Sequence, residues 1–219
     1  MKIVAINGSP RGKNSNTNVM VSAFLKGAKE AGAETINIFL AEKDIKYCRG
    51  CYCCWIKTPG KCAIDDDMLG VLSMLAGANV IVLATPVYFN NISGTLKVFM
   101  DRLAVTGNPL SKKDAKKENN VPSSPQATTK LMIMSNCGSS NKSQFEVVSS
   151  WIKKVTSLMR TDLIGEIYAA QGKNLSSTSE ELRPAINKYL QLLENAGKEV
   201  AVELKLSKET EKLLEQGFI

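Results

Sequence analysis

The sequence predicts an α/β domain with a doubly wound, five-stranded parallel sheet between two layers of helices. Three observations point there. Strand-like and helix-like stretches alternate five times along 219 residues, the pattern left by right-handed βα crossovers. The strand candidates are short and apolar throughout, like Val80-Ile81-Val82-Leu83-Ala84, as strands covered on both faces must be. No internal repeat or break in composition divides the chain. Residues 1–219 therefore read as one domain, with a cysteine-rich insert at about 47–63 and a helical extension at about 206–219.

The elements follow in order. Residues 2–6 form the first strand, which Asn7-Gly8-Ser9-Pro10 ends in a turn. Residues 16–31 are helical, with Val19, Met20, Ala23, Phe24 and Ala28 on one face and Gly32 as the C-terminal cap. The second strand is 34–39. Asp65-Asp66-Asp67 opens a helix over 68–76, where acidic charge suits the helix dipole. The third strand is 79–84, followed by a loop at 85–91 and a helix over 93–103, at whose end Asp101 and Arg102 are expected to pair. Residues 107–129 are polar and read as a long loop. Strands at 130–135 and 163–168 alternate with helices at 144–159 and 180–205, and a short helix at 208–215 closes the chain. Doubly wound sheets bind ligands at the C-terminal ends of their strands, so the loops after the first, third and fourth strands are the ones to inspect.

Composition narrows the chemistry. Hydrophobic residues make up 44% and charged residues 22%, ordinary for a globular chain. The formal charge of +7 comes from scattered lysines and the run Lys112-Lys113-Asp114-Ala115-Lys116-Lys117. No aromatics interleave with it, so it reads as solvated surface with no nucleic acid partner. Positive potential would still steer an anionic dinucleotide or an acidic ferredoxin. The chain has no histidine, which removes Ser-His-Asp and Cys-His catalysis. Its chemistry must come from a cofactor, a cluster or carboxylates. The apolar start, Met1 to Ile6, carries no cleavage pattern, and no apolar run could span a bilayer. The expected compartment is the cytoplasm, without membrane contact.

Gly8-Ser9-Pro10-Arg11, then Ser15-Asn16-Thr17, is dense in hydroxyl, amide, guanidinium and backbone donors just before a helix. It matches neither the P-loop nor the Rossmann glycine pattern. The donors exceed what a helix cap needs and suit a terminal phosphate. In the second loop, Pro86-Val87-Tyr88-Phe89-Asn90-Asn91 sets aromatic faces beside amides, suited to a flat polar-edged ring or to an ordinary loop with core aromatics. Asn136-Cys137-Gly138 stands at the third position, where Cys137 also reads as a small buried residue.

Five of six cysteines lie between Cys48 and Cys62. In a reducing compartment this crowding argues for metal or redox chemistry. Cys48, Cys51 and Cys54 at x2 spacing, with Cys62 beyond a Thr58-Pro59-Gly60 turn, could wrap an iron–sulfur cubane. Zinc and free thiols are the alternatives. Lys46, Arg49, Lys57 and Lys61 would offset thiolate charge, and Cys53 is an extra thiol.

Gly8-Ser9-Pro10-Arg11 with Ser15-Asn16-Thr17 resembles the phosphate loop of the flavodoxin-like NAD(P)H-dependent FMN reductases and iron–sulfur flavoproteins. Asp65 to Met68, Thr85 to Phe89 and Ser93 to Arg102 resemble further segments of that family. The resemblance implies strand order 2-1-3-4-5 and FMN held by Ser9, Pro10, Arg11, Ser15, Asn16 and Thr17. It implies ring contacts from Pro86, Val87, Tyr88, Phe89, Asn90 and Asn91, and from Asn136, Cys137 and Gly138 on the other side. The cysteine motif resembles that of the iron–sulfur flavoproteins, which implies a [4Fe–4S] cluster on Cys48, Cys51, Cys54 and Cys62, near the FMN of a neighbouring subunit.

The function expected is an FMN-dependent oxidoreductase. It would pass electrons from NAD(P)H or a ferredoxin-type donor to a small acceptor such as a quinone, a flavin or a metal ion. No protein acid or base is named. A homodimer or homotetramer is expected by analogy. A flavodoxin-type electron carrier is the alternative.

Overall fold

The computed structural model describes residues 1–107 and 129–217, so the Lys112–Lys117 run and all but the ends of the expected 107–129 loop lie outside the described residues. The strands are β1 (Lys2–Asn7), β2 (Glu34–Phe39), β3 (Val80–Tyr88), β4 (Asn91–Ile92), β5 (Lys130–Asn136) and β6 (Leu163–Ala169). Five of them form a parallel sheet in the order β2-β1-β3-β5-β6, the expected 2-1-3-4-5 once the short β4 is set aside. The register pairs Ile3 with Thr35 on one side and Val80 on the other, and Val80 in turn with Lys130.

The helices are α1 (Asn16–Glu30), α2 (Cys53–Ile56), α3 (Met68–Leu75), α4 (Gly94–Arg102), α5 (Glu146–Met159), α6 (Arg183–Glu203) and α7 (Lys208–Glu215). Successive strand residues point to opposite faces, which divides the core in two. Ile3, Ala5, Val80, Val82, Met132 and Met134 face α1 and α6, meeting Met20, Phe24 and Leu193. Val4, Ile6, Ile81, Leu83, Leu131 and Ile133 face α3, α4 and α5, meeting Val71, Leu96, Phe99 and Ile152. Burying a side chain such as Phe24 or Phe99 stabilises the fold by about 1.5–3 kcal/mol.

Backbone packs on backbone where α1 crosses α6. A Cβ on Gly27 would lie 1.8 Å from the Glu194 carbonyl oxygen, and one on Gly197 would lie 1.9 Å from that of Phe24. α1 ends at Gly32 as expected, with φ +88° and Ala33 N–H donating to Ala28 O at 3.1 Å. At the other edge, α7 packs on β6, and Glu211 accepts from the Glu166 N–H at 3.3 Å, covering an edge strand that would otherwise stand open.

One difference matters for the site. The third strand does not stop at Ala84. It runs on to Tyr88 and folds back on β4, pairing Val87 with Ile92 and Tyr88 with Asn91. Phe89 and Asn90, at φ 50° and 58°, form the two-residue turn. Two successive positive φ values match the twist of a tight hairpin. Asn tolerates this conformation, whereas Phe89 is strained in it.

Candidate functional site

The C-terminal ends of β1, β3 and β5 meet around a cavity of about 150 Å³. From the loop between β1 and α1 come Ser9, Arg11, Ser15, Asn16 and Thr17. Local hydrogen bonds shape this loop. Ser9 N–H donates to Asn7 Oδ1 at 3.1 Å, and Gly12 N–H donates to Ser9 O at 3.1 Å. Ser15 is the N-cap of α1: its hydroxyl donates to Gly12 O at 2.7 Å and accepts from Asn18 N–H at 3.0 Å. The Ser15 proton is thereby committed to the loop itself.

Thr17 is arranged the other way. Its Oγ1 accepts from Asn136 Nδ2 at 2.8 Å, which leaves the hydroxyl proton for a ligand. Asn16 is buried, and its Oδ1 has no hydrogen-bond partner among the described residues. The N–H groups of Asn16 and Thr17 lie in the first helical turn, where no intrahelical acceptor exists. Together with the Thr17 hydroxyl, Arg11 and the positive end of the α1 dipole, these backbone N–H groups make a nest for an anion. Among the described residues no Asp or Glu lines the cavity. The donor set fits the terminal phosphate of FMN.

Pro86, Val87 and Tyr88 of β3 form a second wall, and Asn136, Cys137 and Gly138 a third. Buried hydroxyls tie the three loops to one another. Ser93 Oγ donates to Gly8 O at 2.6 Å, Ser93 N–H donates to Thr85 Oγ1 at 2.9 Å, and Ser135 Oγ donates to Thr85 O at 2.8 Å. Cys137 is buried, its thiol pushed up first by that burial, and its Sγ donates to Ser139 O at 3.3 Å.

Four residues expected in the site are not among those lining the cavity: Pro10, Phe89, Asn90 and Asn91. Phe89 and Asn90 are the hairpin turn, so Phe89 points away at a relative exposure of 104% while Tyr88 faces the cavity. The two aromatics are separated because Tyr88 ends the strand and Phe89 begins the turn. Asn91 turns its Oδ1 to the Ile92 N–H at 2.8 Å. Lys173, absent from the sequence reading, also lines the cavity. Its only sequence signal was Gln171-Gly172-Lys173, a turn after the last strand.

The cysteines occupy a loop closed by a clasp. Arg102 donates to Asp66 through both arms, Nη1 to Oδ2 at 2.5 Å and Nη2 to Oδ1 at 3.1 Å. Arg102 Nη1 also donates to Lys46 O at 2.7 Å, and Asp66 accepts from the N–H groups of Lys46 at 2.9 Å and Met68 at 3.1 Å. Burial alone would push the Asp66 carboxyl up, but the hydrogen bonds from Arg102, Lys46 and Met68 outweigh it and hold it below the usual carboxylate range.

This corrects two expectations. Asp101 does not pair with Arg102, because adjacent helix positions do not face each other; it pairs with Lys97 at 2.6 Å, one turn earlier. The Asp65–Asp67 triplet is also more than helix-start charge. Asp66 and Asp67 reach back to the N–H groups of Lys46 and Asp44, the latter at 2.8 Å, and pin the start of the cysteine loop to its end.

Within the clasp, Cys48 and Cys51 are exposed, and Cys53, Cys54 and Cys62 half-buried. Tyr52 takes a left-handed conformation at φ 55° before α2, and Trp55 Nε1 anchors the helix to Ala104 O at 2.6 Å. The turn at Thr58-Pro59-Gly60 forms, with Thr58 Oγ1 donating to Lys61 O at 2.8 Å. Burial first, then charge on Cys62, Cys48 and Cys51, pushes the Cys54 thiol up. Four thiols in one loop have the donor chemistry of a sulfur-ligated cluster. No three of the described Cys, Asp or Glu residues close around a single metal ion. A larger cavity of about 580 Å³ lies beside the loop, where Lys57, Lys61 and Cys62 meet Asp65, Met68 and Leu72.

The family model for NADPH-dependent FMN reductases matches residues 1–174. The chain belongs to the NADPH-dependent FMN reductase family. An iron–sulfur flavoprotein of Methanocaldococcus jannaschii is 43% identical over 102 residues, 47% of this chain and 51% of that relative. An iron–sulfur flavoprotein of Archaeoglobus fulgidus is 37% identical over 107 residues, 49% of this chain and 47% of the other. The chain spans about half the length of the curated relatives it matches. An FMN-dependent NADH-azoreductase of Bacillus anthracis, solved with FMN, superposes with a TM-score of 0.62 at 17% identity, covering 91% of this chain and 99% of that one. At that identity the likeness is one of fold. Among the described residues no helix is long and apolar enough to cross a membrane.

Proposed function

We propose that this member of the family is an FMN-dependent oxidoreductase. It takes electrons from NAD(P)H and passes them to a small acceptor such as a quinone, a free flavin or a metal ion. One observation carries the reading: a single cavity gathers a carboxylate-free phosphate nest from the β1 loop with walls from the β3 and β5 loops. FMN, when bound, supplies both hydride and single-electron chemistry. The chain's own residues bind and orient it. Thr17, Asn16 and Arg11 face the phosphate; Pro86 to Tyr88 and Asn136 to Gly138 flank the ring. The buried hydroxyls of Ser93, Thr85 and Ser135 keep the three loops in fixed relation.

The cavity is smaller than the ~300–1,000 Å³ of most cofactor sites, which leaves part of the flavin uncovered. This supports a homodimer or homotetramer in which a second copy covers the open side, and sedimentation of the FMN-loaded protein tests it. The cysteine spacing and the iron–sulfur flavoprotein relatives support a [4Fe–4S] cluster on Cys48, Cys51, Cys54 and Cys62, which would add one-electron chemistry beside FMN. Iron and sulfide assay of anaerobically reconstituted protein tests that part, and less than one iron per chain rejects it. Such crowded thiols suit a reducing cytoplasm.

Steady-state oxidation of NADPH and NADH by the FMN-loaded protein, with quinone, ferric or free-flavin acceptors, tests the enzyme reading. Turnover with at least one pair is expected. Bound FMN without turnover in any pair would instead describe an electron carrier.

A further inference from the structure

The sequence motifs place one cation, Arg11, at the phosphate nest; the structure brings a second. Lys173 begins the last stretch before α6, on a short 3₁₀ turn (Gly172–Ser176) after β6, and lines the same cavity as Ser9, Arg11 and Thr17. Its position is fixed by the backbone around it. Gly172 N–H donates to Cys137 O at 2.7 Å, and Gln171 N–H donates to Ser139 O at 2.7 Å from a left-handed residue at φ 54°. A Cβ on Gly172 would lie 2.7 Å from the Cβ of Asn136, so only glycine allows the turn to come this close. Asn136 in turn holds Thr17 Oγ1. Lys173 is thus coupled through two residues to the first turn of α1.

The charges are unbalanced. No carboxylate among the described residues lines the cavity. Among the described residues neither Arg11 nor Lys173 is in an ion pair. Arg11 gives one donor to Asn14 O at 3.1 Å, and among the described residues the Lys173 ammonium makes no hydrogen bond. Two uncompensated cations from separate segments, converging on one donor nest, match a doubly charged anion better than a singly charged or neutral one. A phosphate monoester carries between one and two negative charges near neutral pH.

We propose that Lys173 is a phosphate-positioning residue that selects FMN over flavins lacking the terminal phosphate. The inference rests on the FMN reading of the cavity. An ammonium acts here as a point charge, so it needs proximity and little directional fit. Arginine at this position should therefore substitute for it.

The test titrates apoprotein with FMN and, separately, with riboflavin, following flavin fluorescence. Lys173 is exposed, so Lys173→Gln should fold normally. The variant is expected to bind FMN about tenfold more weakly and riboflavin unchanged, the loss of one charge-assisted contact. Its FMN affinity should also fall less steeply with salt, and Lys173→Arg should restore the wild-type ratio. Equal weakening of both flavins, or an unchanged preference for FMN, overturns the role of Lys173 alone. A wild-type protein that binds riboflavin as tightly as FMN overturns the FMN reading itself, and the role of Lys173 with it.

Discussion

Arg102 and Asp66, 36 residues apart, form a two-armed ion pair whose side chains are each 1% exposed, and this pair closes the cysteine loop. A buried pair need not add stability over an apolar pair of the same shape, but breaking it strands a charge. Arg102→Ala should therefore cost about 3–5 kcal/mol in urea denaturation. Arg102→Lys should recover little of it, because one ammonium cannot replace a planar fork that reaches Asp66 and Lys46 O together. Both variants should expose residues 47–65 to protease and speed the reaction of Cys54 and Cys62 with a thiol reagent.

The same pair sets an acid limit. The Asp66 carboxyl is held below its unfolded value of about 3.9, so its contribution is present above that pH and is lost as pH falls through the lower, folded value. Stability measured between pH 5 and pH 2 should drop more steeply in the wild type than in Asp66→Asn, whose amide does not titrate across that range. Parallel curves would contradict the assignment.

Ser15 and Thr17 divide the work of the phosphate loop. Ser15→Ala should remove an N-cap and cost about 1 kcal/mol of stability. Thr17→Ala should cost about 1–3 kcal/mol, because the buried Asn136 amide loses its acceptor, and should also weaken FMN by about tenfold or more, since the Thr17 proton is the one left for a ligand. Thermal melts of apoprotein beside FMN titrations separate the two effects.

The α1–α6 crossing tolerates no side chain. Gly197→Ala should cost about 1–3 kcal/mol by forcing the helices apart, although alanine favours an isolated helix. A gain in melting temperature would contradict the close approach.

The parallel sheet and its two helical layers were legible because they rest on period and alternation, which each stretch of sequence carries by itself; the strand order came from the family resemblance. The phosphate loop was legible for the same reason: its donors are contiguous from Ser9 to Thr17. What the sequence hid depends on contacts between distant segments. Nothing local to Arg102 says that it faces Asp66 and not Asp101. Nothing local to Lys173 says that Gly172 lets its turn settle against Asn136. The hairpin at Phe89-Asn90 was missed because a strained Phe in a tight turn runs against turn chemistry; it leaves Phe89 exposed at the rim, outside the lining of the cavity.

The central claim is that FMN bound in the cavity among β1, β3 and β5 accepts electrons from a nicotinamide. The most direct measurement is an anaerobic half-reaction. Apoprotein is reconstituted with FMN, freed of excess, and mixed with NADPH or NADH while the flavin absorbance is followed. The account predicts about one FMN per chain and rapid bleaching of its yellow colour by at least one of the two. Failure to retain FMN, or retained FMN that neither nicotinamide bleaches, would contradict it.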